Sequence, residues 1–132
     1  MPLVRIDLRK GKSAEYRRAI ADGVYQAMLE AINVPAGDRF QVITEHDAAG
    51  LIYDPSYLGV PRDDNFVMIQ VTLNEGRSQA LKSAFYKRIV DLLAANPGVE
   101  PRNVMVNLVD VPKGNWSFGN GVAQYAPDTP GA

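Results

Sequence analysis

The chain repeats itself. Laid on itself at a shift of 65 residues, Gly11 falls on Gly76, Lys12 on Arg77, Ser13 on Ser78, Arg17 on Lys82, Val24 on Ile89 and Glu45 on Asp110. Each copy carries the same order of elements. In the first, Leu3 to Leu8 alternates, with Val4, Ile6 and Leu8 on one face and Arg5 and Asp7 on the other, as a half-buried strand does. A turn at Lys10-Gly11-Lys12 follows, Ser13 stands at the N-cap, and Glu15 lies in the first turn. Tyr16, Ala19, Ile20, Val24, Ala27, Met28 and Ala31 then recur at three- and four-residue spacing, which predicts a helix that ends near Asn33 and is stopped by Pro35. Phe40 to Glu45 reads as the next strand. The second copy runs from strand Phe66–Leu73 through Gly76, a Ser78 cap and the stripe Leu81, Ala84, Phe85, Ile89, Leu92 and Leu93 to Asn96-Pro97-Gly98, and closes on strand Val104–Val111.

Helical crossovers join parallel strands, and each helix has one apolar stripe. The repeat therefore predicts an α+β fold: a duplicated βαβ unit, about 2–45 and 66–111, forming one four-stranded sheet with both helices on one face. A length of 132 residues with 46% hydrophobic and 22% charged residues fits a single domain spanning 1–132. A sheet covered on one side exposes the other, for which Leu3, Arg5, Asp7, Val67, Ile69 and Leu73 are the expected residues, with Phe66, Met68 and Val71 turned to the helices. A third strand apolar on both faces predicts an oligomer.

Two segments stand outside the repeat. Residues 46–64 are long for a plain connection, and Leu51–Tyr53 is expected to add a short edge strand. The tail 112–132 carries Trp116, Phe118 and Tyr125, too apolar for a free end, so it is expected to dock on its own or a neighbouring subunit.

Composition shortens the menu of chemistries. Fourteen Lys plus Arg against fifteen Asp plus Glu give a net charge of -1, which provides no electrostatic pull toward nucleic acid or an anionic membrane. There is no Cys and one His, His46, which excludes a zinc finger, a thiol nucleophile and a disulfide scaffold. No signal peptide or membrane-spanning run is apparent, and a cytoplasmic location is expected. His46 follows a strand end and offers a candidate base, but beside Asp47 it reads rather as a loop residue; Arg17-Arg18 and Lys87-Arg88 read as solvated helix faces, and the Gly119-Asn120-Gly121 run is too short for a dinucleotide loop.

Pro2 stands out among what remains. Removal of Met1 before so small a residue leaves a secondary amine; an α-amino group titrates near roughly 7.7–8.0, and burial beside cations lowers that further. Such a group serves as base or acid at neutral pH. Many chains begin Met-Pro without catalysis, so context decides.

That context is a strand beginning at Pro2, the phrase LNEGRSQALK at 73–82, VPAGDRFQ at 34–41 and NWSFGNG at 115–121. Together with the repeat they resemble the tautomerase superfamily over essentially the whole chain, and within it the malonate semialdehyde decarboxylase branch. Each half alone is similar to 4-oxalocrotonate tautomerase. The resemblance implies an enzyme without metal or organic cofactor that assembles as a homotrimer and acts on a small anionic 2-oxo acid or its enol by tautomerisation, decarboxylation or hydration. It makes Pro2 the catalytic amine, Asp38 the group that orients substrate or water, Arg77 the carboxylate binder, and Trp116, Phe118 and Tyr125 the apolar wall. A guanidinium suits a carboxylate bidentately, and an aromatic wall excludes water. The plainer roles stand beside these: Asp38 capping a turn, Arg77 a solvated turn residue, Trp116 and Phe118 intersubunit core. The decarboxylase branch carries a second arginine two residues before the position of Arg77, where this chain has Glu75, and a hydratase relative carries it at the position of Asn74; Arg39 and Arg62 are the other cations considered for that role. The reading from another class is a non-enzymatic oligomeric scaffold with a vestigial proline pocket, which Glu75 favours.

Overall fold

A computed structural model describes residues 2–126; Met1 and 127–132, the last part of the predicted tail, lie outside the described residues. The chain runs β1 (Leu3–Arg9), α1 (Ala14–Ala31), β2 (Phe40–His46), β3 (Val67–Asn74), α2 (Gln79–Ala95) and β4 (Val104–Val111). These form one four-stranded sheet of order β2-β1-β3-β4. β1 and β2 are parallel, β3 and β4 are parallel, and the two units meet antiparallel through β1 and β3. Both helices start as the repeat predicts, the Ser13 hydroxyl accepting from the Tyr16 amide and the Ser78 hydroxyl from the Leu81 amide.

The duplication extends to single contacts. Arg17 pairs with Glu45 at 2.7 Å and Lys82 with Asp110 at 2.7 Å, the same bond in each copy. Likewise the Lys10 amide donates to the His46 carbonyl at 2.8 Å and the Glu75 amide to the Val111 carbonyl at 2.9 Å. In the central antiparallel pair Arg5 faces Gln70, and those two residues are repeat equivalents, so the pseudo-twofold axis passes between them.

The core lies between sheet and helices. Val4, Ile6 and Leu8 of β1 meet Val67, Ile69, Val71 and Leu73 of β3, together with Ile20, Val24, Met28, Phe85, Ile89 and Leu93. This corrects the expected faces of β3: Val67, Ile69 and Leu73 point to the helices with Val71, and Met68 to the open side. Period-two alternation requires it, since Ile69 faces buried Ile6. The open face is instead mixed, with Arg5, Asp7 and Gln70 among exposed Phe40, Val42, Met105 and Val109. Leu81 and Ala84 of the predicted stripe are exposed, because α2 reaches the core only from Phe85 onward. Leu51–Tyr53 forms no strand: Leu51 is buried, and its carbonyl accepts from Arg9 Nη2 rather than from a neighbouring strand.

α1 and α2 approach closely at Gly23, where a Cβ would lie 2.7 Å from Leu93 Cδ2. Gly23→Ala gains about 1 kcal/mol in helix propensity. It also forces buried Leu93 off its rotamer, at about 1–3 kcal/mol. A net loss is expected as a lower urea midpoint with unchanged slope; a higher midpoint would mean that Leu93 swings aside freely.

The long connection is held by Asp63. Its carboxylate accepts from the Asn65 amide, from Arg102 Nη2 at 2.6 Å and from buried Asn103 Nδ2 at 2.9 Å, and these donors, the Asn65 amide foremost, hold it below its ordinary 3.8. A carboxylate depressed in the folded state contributes stability above its unfolded value and loses it as pH falls through the folded value. The melting temperature of wild type should therefore exceed that of Asp63→Asn at neutral pH and converge on it below 3.8.

Candidate active site

Pro2 is buried at the start of β1, one step beyond the Leu3–Phe40 and Leu3–Thr72 pairs. A cleft of about 240 Å³ opens beside it, lined by Pro2, Leu3, Phe40, Trp116, Ser117 and Phe118. The tail makes its wall. Trp116 stacks on Phe118 with centroids 5.5 Å apart and an 11° interplanar angle, Tyr125 meets Phe118 edge-on at 5.2 Å, and Phe40 closes from the sheet at 6.2 Å. Consecutive positive φ values at Gly119, Asn120 and Gly121 reverse the chain between Phe118 and Tyr125, so this run is a turn that folds the wall back on itself. Gln124 locks the reversal, accepting from the Phe118 amide and donating to the Gly119 carbonyl.

The antiparallel pairing of β1 with β3 carries the end of β3 to the same place. Asn74 Oδ1 accepts from Trp116 Nε1 at 2.8 Å, tying the wall to the sheet. Beyond it the turn at Gly76, φ 115°, brings back Arg77, whose Nε and Nη2 donate to the Ile32 carbonyl at 3.2 and 3.1 Å and whose Nη1 donates to the Asn74 carbonyl at 3.0 Å. Three of the five guanidinium N–H groups are thus spent on holding the half-buried side chain in place, and two remain. Glu75 between them is exposed, and its amide donates to the Val111 carbonyl.

Asp38 sits on the turn that leads into Phe40. Its amide donates to the Pro35 carbonyl at 3.2 Å, and the Gly37 amide donates to the Tyr25 hydroxyl at 2.8 Å. Burial first, and then the nearby Asp38 carboxylate, push the Tyr125 phenol upward, so Tyr125 keeps its proton at neutral pH. Pro2, Trp116 and Phe118 therefore share one cleft, Tyr125 and Asp38 adjoin its wall, and Arg77 stands behind Asn74. Phe40, Leu3 and Asn74 complete the site. Sequence reasoning passed over Phe40 and Leu3; a parallel register of β1 on β2 would have found both, since it sets an exposed aromatic opposite the first strand residue.

The other cations considered lie elsewhere. Arg39 binds Asp22 at 2.6 Å and covers the Tyr25 ring, and Arg62 lies in the 47–66 connection, donating to the Asp54, Tyr57 and Val60 carbonyls. His46 is not a loop residue but the last of β2, at the far end of the sheet, its Nε2 2.6 Å from Asp7 Oδ1. Arg18 and Lys87 pair along their own helices, and Arg88 bridges α2 to Glu30.

Comparison with known proteins agrees with this geometry. A family model described as tautomerase enzyme matches residues 38–119, and a second of the same description matches 2–61. The chain belongs to the tautomerase family. The probable tautomerase YusQ of Bacillus subtilis is 39% identical to this tautomerase over 94% of the chain and 98% of the relative. The probable tautomerase YrdN of the same organism is 32% identical over 95% and 96%. Among solved structures, a malonate semialdehyde decarboxylase described as inhibited by 3-bromopropiolate superposes with a TM-score of 0.87 at 40% identity, covering 93% of each chain. Another malonate semialdehyde decarboxylase, described with decarboxylase and hydratase activities, gives 0.87 at 32% identity over 93% of this chain and 95% of its own. The chain is thus an enzyme of the isomerase or lyase type built on the fold the repeat predicts. No group of His, Cys, Asp or Glu among the described residues is arranged to hold a metal ion, and no helix among them is long and apolar enough to cross a membrane.

Proposed function

We propose that the tautomerase interconverts the enol and keto forms of a small 2-oxo acid, with the Pro2 amine as proton carrier. One observation supports this above the rest: the residue that becomes the chain terminus once Met1 is removed is buried beside an aromatic cleft of substrate size. A desolvated amine is held more easily in its neutral form. Neutral Pro2 takes the enol hydroxyl proton, the oxygen pair closes the C2 carbonyl, and the C2–C3 double-bond pair accepts the proton back from the prolyl ammonium at C3. Arg77, with two N–H groups left, holds the carboxylate, and Asp38 orients the reacting end. Trp116, Phe118 and Tyr125 exclude water from the transfer.

A second reading, decarboxylation or hydration of a 3-oxo acid such as malonate semialdehyde, draws on the two decarboxylase structures. There cationic Pro2 polarises the carbonyl instead. We infer that the exposed Val42 and Val109 of the open face are covered by other copies of the chain in a homotrimer, while Phe40 and Met105 stay at the cavities they line.

The test is ketonisation of phenylenolpyruvate against pH, on protein whose intact mass shows Met1 absent. A rate above buffer that is lost on acidification supports Pro2 as base, and one lost as pH rises supports the cationic mode and the lyase reading. A rate equal to buffer at every pH, with malonate semialdehyde also untouched, overturns both.

A further inference from the structure

The repeat that maps the chain onto itself also maps the Pro2 cleft onto a second cavity. Leu3 and Phe40 line the first; their equivalents 65 residues on, Met68 and Met105, line a cavity of about 220 Å³ at the start of β3. The tail that walls the first follows β4, and the 47–66 connection that walls the second follows β2, so Tyr53 occupies the place of Phe118. Tyr53 packs on Phe66 with centroids 5.4 Å apart. The end of β1 serves here as the end of β3 serves there: Arg9, equivalent to Asn74, fastens the wall through the Leu51 carbonyl, and Lys12, equivalent to Arg77, donates to Asn65 at 2.6 Å.

What the second cavity lacks is the amine. At the position of Pro2 stands Val67, in mid-chain, and its nitrogen is an amide without basicity. The position of Asp38 is taken by Asn103, buried and bound to Asp63. Acid–base chemistry is therefore gone, yet the cavity has not filled in. It has gained a cation in its own lining, where at the first cleft Arg77 stands behind Asn74. Arg62 lines it with Nη1 fixed by three carbonyls, and among the described residues its Nε and Nη2 have no hydrogen-bond partner. A partly buried, pre-positioned guanidinium facing Tyr53, Tyr57 and Phe66 fits a carboxylate attached to an aromatic body. Cavities of about 150 Å³ accept a benzene ring, so 220 Å³ has room for a ring with a short acid arm. Asp54, exposed at the rim, would repel a second negative charge.

We propose that this second cavity is a non-catalytic binding site for a small aromatic monocarboxylate, held through Arg62. The site depends on the duplication and not on the chemistry assigned to Pro2. Three methionines remain once Met1 is removed and make it observable, because Met68 and Met105 line it while Met28 is enclosed on α1 and reports the fold. With 13C-methyl-methionine protein, cinnamate is expected to shift the Met68 and Met105 methyl signals saturably and leave Met28 in place. Cinnamamide should bind at least tenfold more weakly. Arg62→Gln should weaken cinnamate at least tenfold, and Met105→Trp, which fills the cavity without touching Arg62, should abolish the Met68 response. Pro2→Ala should leave all of this unchanged even where it stops ketonisation, which separates this site from the Pro2 reading. Shifts that never saturate, or that persist in Met105→Trp, overturn the site; equal binding of cinnamamide and cinnamate overturns the role of Arg62.

Discussion

Pro2→Ala is expected to lower the rate of phenylenolpyruvate ketonisation at least tenfold, and within the roughly 10²–10⁴ that a positioned acid–base group contributes. Alanine still allows removal of Met1 and still presents an amine, so the substitution changes the quality of the base rather than deleting it. A primary amine on a freely rotating residue has no ring to fix its lone pair toward the cleft, whereas the buried pyrrolidine at the start of β1 holds it in one direction. Tenfold corresponds to about 1.4 kcal/mol of transition-state stabilisation. The loss should appear in kcat, since the binding wall of Trp116, Phe118 and Tyr125 is untouched. A variant that keeps the full wild-type rate, with intact mass showing that Met1 has left, would remove Pro2 from the mechanism.

Arg77→Ala is expected to reduce kcat/KM by about 10²–10³, mostly through KM, because a charge-assisted pair to the substrate carboxylate is lost where water is scarce. The same side chain supports the site, and this sets a second readout. Removing it strips donors from the Ile32 and Asn74 carbonyls, and an unsatisfied buried carbonyl costs about 1–3 kcal/mol. The melting temperature should fall as well. Arg77→Lys separates the two effects: an ammonium retains the charge but not the fork that reaches Ile32, Asn74 and a carboxylate at once, so activity should recover only in part. If kcat/KM of the folded alanine variant matches wild type, Arg77 is a structural brace and the carboxylate is held by another group.

How much of this was legible depended on how local the signal was. The caps at Ser13 and Ser78, the helix stops and the 65-residue shift are written in short stretches of sequence, and the structure reproduces them down to the paired bonds Arg17–Glu45 and Lys82–Asp110. The face of β3 was misread because every second residue of Val67, Ile69, Val71 and Leu73 is apolar while Met68 is apolar too; only pairing with β1 decides which set is enclosed. Leu51–Tyr53 reads as an edge strand because a loop that buries one leucine and a short strand share the same brief apolar pattern. At the site, Trp116 and Phe118 could be singled out as aromatic residues in a polar tail, but Phe40 could not, since its role depends on a register that no local pattern encodes. The bond of Asn74 to Trp116 spans 42 residues of chain, so nothing near Asn74 in the sequence marks it.

The antiparallel junction of β1 with β3 means that neither repeat owns a cleft. Pro2 belongs to the first unit but its cleft is walled by Trp116, which Asn74 of the second ties to the sheet, while Met68 and Met105 of the second are walled by a connection fastened to Arg9 of the first. Expressed as separate pieces, the halves should be inert alone and regain activity only on mixing, in the manner of two enzyme fragments that complement. The covalent link between them then acts as a guarantee of stoichiometry: every start of β1 is delivered with the one turn that can complete it.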